Sequence, residues 1–278
     1  MLMLIKLELF KIFSKWRTYI GFISIFVLIP LIHIALYFEG KKLIELGTQA
    51  LSGGFNLSGN LLNGFMATRI ILQSFYVHIP LLVALVAGDM LAGEATSGTY
   101  RFLLTKPISR LQIISAKYIS GVIYVASLLV ILMILSLGVG ILIFGTGDMI
   151  IVNSNITILK EADSLWRFYY SFGYAFLSML VVYSFAFMFS AFVENSIGPI
   201  MATMSLIIVF SILNILGGGV FVHIQPFLFT THMQNWKGLF DNPIDYAEIN
   251  TSVAIMIAHI VLLTTLTFVY FTKKDINS

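Results

Sequence analysis

Residues 117–144 read KYISGVIYVASLLVILMILSLGVGILIF. Lys117 is the one charged side chain in the run, and the next does not come until Asp148. As a helix the run is about 42 Å long, at ~1.5 Å per residue. A bilayer's hydrocarbon core is about 30 Å thick, so this helix crosses it with length left over for tilt or protrusion. Five more apolar runs of spanning length lie at 18–38, 69–89, 169–192, 197–216 and 252–271. The fold expected is an all-α integral membrane protein with six transmembrane helices, forming a single domain over 1–278.

Composition agrees. Of 278 residues, 59% are hydrophobic and 10% charged, with a mean hydropathy of +0.96. Soluble domains carry about 25% charged residues, so this chain lacks the polar surface to cover a globule in water. A membrane β-barrel would show alternating segments of about 10 residues, and none is seen. The net charge of +3 fits basic residues held at one membrane face and does not imply nucleic acid. There is no cysteine, which excludes disulfides and thiolate metal sites. The N-terminal run is interrupted by Lys6, Glu8, Lys11, Lys15 and Arg17, which argues against a cleavable signal peptide.

The polar stretches set the topology. Over 3–17, Glu8, Lys11 and Lys15 share one helical face, while Leu9, Ile12, Phe13 and Trp16 line the other side. That pattern predicts an amphipathic helix lying in the interface. With the N-terminus inside, ten basic residues lie on the inner side (Lys6, Lys11, Lys15, Arg17, Arg101, Lys106, Arg110, Lys117, Lys273, Lys274). Six lie outside (Lys41, Lys42, Arg69, Lys160, Arg167, Lys237). The bias predicts a cell (cytoplasmic or inner) membrane protein with both termini cytoplasmic. Only Val193 to Ser196 separate the fourth and fifth spans, a helical hairpin with Ser196 as candidate N-cap. Residues 217–251 are too apolar to be free in water, and short re-entrant or surface helices are expected there.

Motifs for chemistry are missing. The chain holds no Gly-x-x-x-x-Gly-Lys-Ser/Thr, no His-Glu-x-x-His and no Gly-x-Ser-x-Gly. Of five histidines, His33, His78 and His259 fall in spans, where ionisable groups are functional candidates. None pairs with another at i+3 or i+4, so haem or metal ligation is disfavoured against a neutral histidine bonded to a neighbouring helix. Asp89 closes the second span, and Glu94 lies five residues later. They read either as solvated acids at headgroup level or, for Glu94, as an anchor that caps a helix or pairs with a base.

The segment 92–112 is compact, polar and rich in turn residues. Gly98 breaks one helix and Thr99 is placed to cap another. Tyr100, Phe102, Leu103 and Leu104 give an apolar face beside Arg101 and Lys106, and Pro107 ends the element. Ser109 is placed to cap the third span and Arg110 to anchor its start. The product is a short membrane-parallel helix, suited either to a partner's groove or to the lipid surface.

This stretch, Ala92-Gly93-Glu94-x-x-Ser97-Gly98-Thr99-x-x-x-Leu103-Leu104-x-x-Pro107-x-Ser109-Arg110 with Lys117 after it, resembles the signature of type-2 (ABC-2) ABC transporter permeases. Ala116 stands where that family often has glycine. The ending Phe271-Thr272-Lys273-Lys274-Asp275-Ile276 is also similar to the family's. The resemblance implies a permease subunit that exports or flips a substrate, with ATP and Mg bound and hydrolysed by a separate cytoplasmic ABC ATPase. The chain itself would be no enzyme and carry no cofactor. It implies a pair of permease copies, as a homodimer or with a close paralogue, in contact with membrane lipid and not with nucleic acid. Residues Glu94, Gly98 to Leu104, Pro107, Ser109 and Arg110 would form the coupling helix and its flanks. Glu194 and Asn195, in the turn between spans four and five, would form a second ATPase contact. Replacing Glu94 with Ala is expected to uncouple ATP hydrolysis and leave the fold intact. A rival reading is a membrane anchor or scaffold that recruits an ATPase for assembly or mechanical work without transport. The substrate is not legible.

Overall fold

A computed structural model describes residues 1–48, 62–98, 108–152, 156–216 and 222–273. A first helix, α1 (Leu2–Ser14), is followed after one residue by α2 (Trp16–Thr48). Then come α3 (Gly64–Phe75), α4 (His78–Ala87) and α5 (Asp89–Thr96), nearly head to tail. α6 (Arg110–Met133) passes through a π-helical turn at Ile134–Gly138 into α7 (Val139–Phe144). A hairpin, β1 (Met149–Val152) and β2 (Ile156–Leu159), leads into α8 (Glu161–Phe192) and α9 (Ile197–Ile215). A 3₁₀ turn (Gln225–Phe227), α10 (Phe229–Met233) and a second 3₁₀ turn (Gln234–Phe240) precede α11 (Tyr246–Lys273).

Six of these segments are long and apolar enough to cross a membrane: Trp16–Gly40, His78–Thr96, Arg110–Phe144, Glu161–Phe192, Ile197–Ile215 and Tyr246–Lys273. The chain is a multi-pass, helical membrane protein. The second and fourth spans are the most buried, so they form the centre, and the fifth and sixth are the least. Large apolar side chains such as Phe26, Ile34, Met201, Ile212, Val261 and Leu266 stay exposed, as lipid-facing positions must. The reading over 69–89 as one rod meets a different arrangement, because α3, α4 and α5 are separated at Tyr76–Val77 and at Gly88. The hairpin was not expected. It pairs antiparallel with Met149 opposite Leu159, and both of those side chains are buried.

Close approach is built from small residues. A Cβ at Gly121 would sit 2.1 Å from the Tyr183 hydroxyl oxygen, so the third and fourth spans can touch there only without a side chain. Tyr183 in turn lies in an aromatic cluster with Tyr118 (centroids 5.2 Å apart) and Phe187 (5.7 Å). At the other end of the third span, a Cβ at Gly64 would meet the Ile141 backbone at 2.6 Å. Beside that crossing the Thr68 hydroxyl lies 2.7 Å from Gly64 O and 3.1 Å from Ser136 O. Its one proton thus serves both its own helix and a carbonyl loosened by the π turn. The hairpin end of α8 is pinned by Arg167, whose Nη1 donates to Leu239 O and Asp241 O, each at 2.8 Å.

Candidate functional site

The N-terminal helix buries part of its charged ridge. Glu8 and Ile12 are buried, while Leu2, Met3 and Phe10 are about three-quarters exposed. Of the ridge read from the spacing of Glu8, Lys11 and Lys15, the Glu8 carboxylate turns into the protein, and Lys11 and Lys15 keep close to half of their side chains exposed. The cause is the set of charges at the adjoining ends of spans two and three. Left alone there, each would carry a desolvation cost of several kcal/mol. Lys11 Nζ donates to Glu8 Oε1 (2.7 Å) and Glu94 Oε1 (2.8 Å). Lys117, 1% exposed, bridges Glu8 Oε2 (2.9 Å) and Glu94 Oε1 (2.7 Å). Lys15 and Arg17 grip the two oxygens of Asp89 at 2.7 and 2.9 Å.

These contacts sort into two units. Glu8, Glu94, Lys11 and Lys117 form a balanced quartet, two acids with two bases. Asp89 with Lys15 and Arg17 forms a triad with one positive charge to spare. Within the quartet, burial pushes the Glu8 carboxyl up, but Lys117 and Lys11 outweigh it and hold the group below its usual 4.5. Burial likewise works against the Lys11 ammonium, and its bonds to Glu8 and Glu94 hold it above 10.5. Both groups are therefore charged across the neutral range.

The local geometry follows from a few residues. Lys15 adopts an extended conformation (φ −91°, ψ 132°) and ends α1. The turn is closed by Thr18 N–H to Lys15 O (3.1 Å) and by the Thr18 hydroxyl to Ile12 O. Glu94 and Asp89 lie on α5, which starts after the break at Gly88. That break frees backbone groups, and the Ser190 hydroxyl from the fourth span takes them up. It accepts from Leu91 N (3.0 Å) and Ala92 N (2.9 Å) and donates to Gly88 O (2.7 Å). Gly93 has a packing reason, since a Cβ there would come 2.5 Å from Asp89 Oδ1. Gly98 has a backbone reason. Its φ is +65°, a left-handed conformation that any other residue adopts at a cost of about 1 kcal/mol.

Thr99, Tyr100, Arg101, Phe102, Leu103, Leu104 and Pro107 lie outside the described residues. The flanks do not. Ser109 opens α6 with a capping box, its hydroxyl accepting from Gln112 N while Gln112 Oε1 accepts from Ser109 N. Arg110 Nη1 reaches Thr272 O at 3.2 Å, which ties the start of the third span to the end of the sixth. Glu194 and Asn195 are exposed. The Thr96 hydroxyl bonds to Glu194 O, so the end of α5 touches the turn between the fourth and fifth spans. In that turn Ser196 is not the cap expected. Its φ and ψ (−61°, −24°) are already helical, its side chain makes no cap bond, and Asn195 Oδ1 takes the Ile197 N–H at 3.0 Å.

Glu94 is thus a paired, buried acid, not a solvated one, and replacing it with Ala would remove a fold contact as well as any coupling role. Asp89, Lys15, Arg17, Glu8, Lys11 and Lys117 were not singled out as site residues. The i, i+3 and i+7 spacing of Glu8, Lys11 and Lys15 was the available signal, together with two acids at a span end. The histidines are dispersed. His78 Nδ1 lies 2.9 Å from Ser74 O and His259 Nδ1 2.9 Å from Ile255 O, while His33 is buried beside Phe144. Among the described residues no cluster of His, Asp and Glu is suited to a metal ion.

Comparison with known proteins gives two results. Part of the chain is 31% identical over 127 residues to "Uncharacterized protein YhcI" of Bacillus subtilis (strain 168). That stretch is 44% of this chain and 41% of the relative, so the match spans about two-fifths of the relative's length. Residues 50–277 match the model of the family described as "Protein of unknown function (DUF2705)". The match covers most of the chain, and the protein belongs to the DUF2705 family.

Proposed function

We propose that the chain is the membrane subunit of an ABC-type transporter, and that the segment 92–112 couples it to a separate cytoplasmic ATPase. The observation that carries this reading is the direct bond between Glu94 and Lys117 at 2.7 Å. Glu94 lies in the segment and Lys117 after it, and both belong to the motif that resembles ABC-2 permeases. Their pairing ties the described end of the second span to the start of the third. The Thr96 to Glu194 bond adds the second exposed turn to the same junction. A push on the segment would therefore reach the second, third and fourth spans and α1 together. In this reading both termini are cytoplasmic, two copies pair, and substrate moves outward or between leaflets. The short helices at 225–240 would be the re-entrant pair of the opposite face.

The test purifies the full chain with whatever P-loop ATPase co-purifies and reconstitutes the two in liposomes; the absence of any such ATPase would also overturn the proposal. Tyr100→Ala combined with Phe102→Ala should leave the unfolding midpoint unchanged and weaken ATPase binding by about thirtyfold, as for two lost anchor side chains. An ATPase that binds the double variant as well as the parent, or whose turnover ignores the chain, would overturn the proposal.

A further inference from the structure

The break between α1 and α2 makes a concave corner at the head of the first span, and its charge does not balance. Asp89 answers two cations, so one positive charge is left over, while the neighbouring quartet is neutral. Lys15 and Arg17 are each close to half exposed in their side chains. Each gives Asp89 a single hydrogen bond, which leaves an ammonium and a guanidinium with further donors. A small cavity of about 30 Å³ opens there, its charged lining made of the cations Lys11, Lys15, Arg17 and Lys117 and the carboxylates Glu8, Asp89 and Glu94. Trp16 and Tyr19, next to Lys15 and Arg17 in the chain at the head of the first span, are exposed, as are Ile23 and Phe26 further along it.

We propose that this corner binds the phosphate headgroup of an anionic phospholipid, with its chains lying along Trp16 and Tyr19. Charge complementarity selects the headgroup. One cation is in surplus over Asp89, and a guanidinium matches phosphate oxygens in bidentate fashion. The exposed Trp16 and Tyr19 beside these cations select a lipid over a free anion. The inference rests on the membrane fold and on the two ion-pair units, and it holds whichever face of the membrane carries α1.

The experiment offers the detergent-solubilised full chain an equimolar mixture of phosphatidylglycerol and phosphatidylcholine and reads retained lipid by native mass spectrometry. A cation near a membrane surface is worth about a fivefold preference for anionic lipid, so the parent should retain phosphatidylglycerol about fivefold over phosphatidylcholine. Lys15→Gln should erase the preference, and Arg17→Lys, which keeps the charge but loses the bidentate fork, should reduce it without erasing it. Asp89→Asn, which raises the surplus, should increase it. Lys6→Gln removes the same charge from an exposed position on α1 and should change nothing. Equal retention of the two lipids by the parent overturns the proposal. So does a loss with Lys6→Gln equal to that with Lys15→Gln, which would mark diffuse attraction. Displacement of the lipid by an equal concentration of inorganic phosphate would assign the corner to free anions and overturn the lipid.

Discussion

Replacing Lys117 with methionine is the sharpest probe of the buried quartet. Its ammonium lies 2.9 Å from Glu8 and 2.7 Å from Glu94, with 1% of the side chain exposed. At an effective dielectric of about 20 a charge pair at ~4 Å is worth about 4 kcal/mol before desolvation. Methionine keeps the volume and removes the cation, leaving two carboxylates to share Lys11. Breaking a buried pair in this way costs about 3–5 kcal/mol. The pH dependence then changes sign. In the parent, the Glu8 carboxyl is held below 4.5 by Lys117 and Lys11 against burial. It therefore adds stability above pH 4.5, and that stability is lost as pH falls through the lower folded value. In the variant the main opposing charge is gone, burial prevails, and the Glu8 carboxyl rises. Lowering the pH from 7 to 5 then neutralises the excess negative charge and stabilises the variant relative to the parent. Adding Glu94→Gln restores one acid to one base and should recover most of the loss. The assay is denaturant unfolding in mixed micelles at pH 7 and pH 5 for parent, single and double variants. A loss below about 1 kcal/mol, or a variant no better off in acid than the parent, would refute the reasoning.

Three further outcomes follow from the same packing. Ser190→Ala removes three buried hydrogen bonds at the Gly88 break and should cost about 2–4 kcal/mol, read by unfolding and by faster amide exchange at Leu91 and Ala92. Gly121→Ala drives a methyl into the Tyr183 ring and should cost about 1–3 kcal/mol, whereas Gly173→Ala, a helical glycine with open space around it, should be neutral or stabilise by up to about 1 kcal/mol. Equal midpoints for the two would disprove the close approach. Gly98→Val forces a left-handed position on a β-branched residue and should slow ATP-driven turnover in the reconstituted pair at least about fivefold, with the unfolding midpoint moved little because the strain is local to the segment. Unchanged turnover would remove Gly98 from any coupling role.

The six-span helical architecture was legible because nothing else accounts for apolar runs of such length. The orientation of α1 was not. Spacing put Glu8, Lys11 and Lys15 on one face, but in a bilayer the protein interior and the lipid are both apolar, so periodicity does not say which face turns in. Only the positions of Asp89, Glu94 and Lys117 in space decide it. The break at Gly88 was illegible for a related reason. A glycine inside an apolar run signals little until its freed backbone groups find Ser190, a residue more than ninety positions away. The hairpin was missed because four-residue strands leave hardly any period to detect, and the π turn because Ile134–Gly138 reads like the helix around it. Ser196 failed as a cap because identity alone does not fix φ and ψ.

The inward-facing charges of α1 constrain how the chain can be assembled. The long-range partners of Glu8 and Lys11 lie 83 to 109 residues further along, so α1 leaves the ribosome long before they exist. Until the second and third spans are inserted, Glu8 and Lys11 have only each other and water, and Lys15 and Arg17 only water. The first helix to be synthesised is thus seated only after two later ones have arrived.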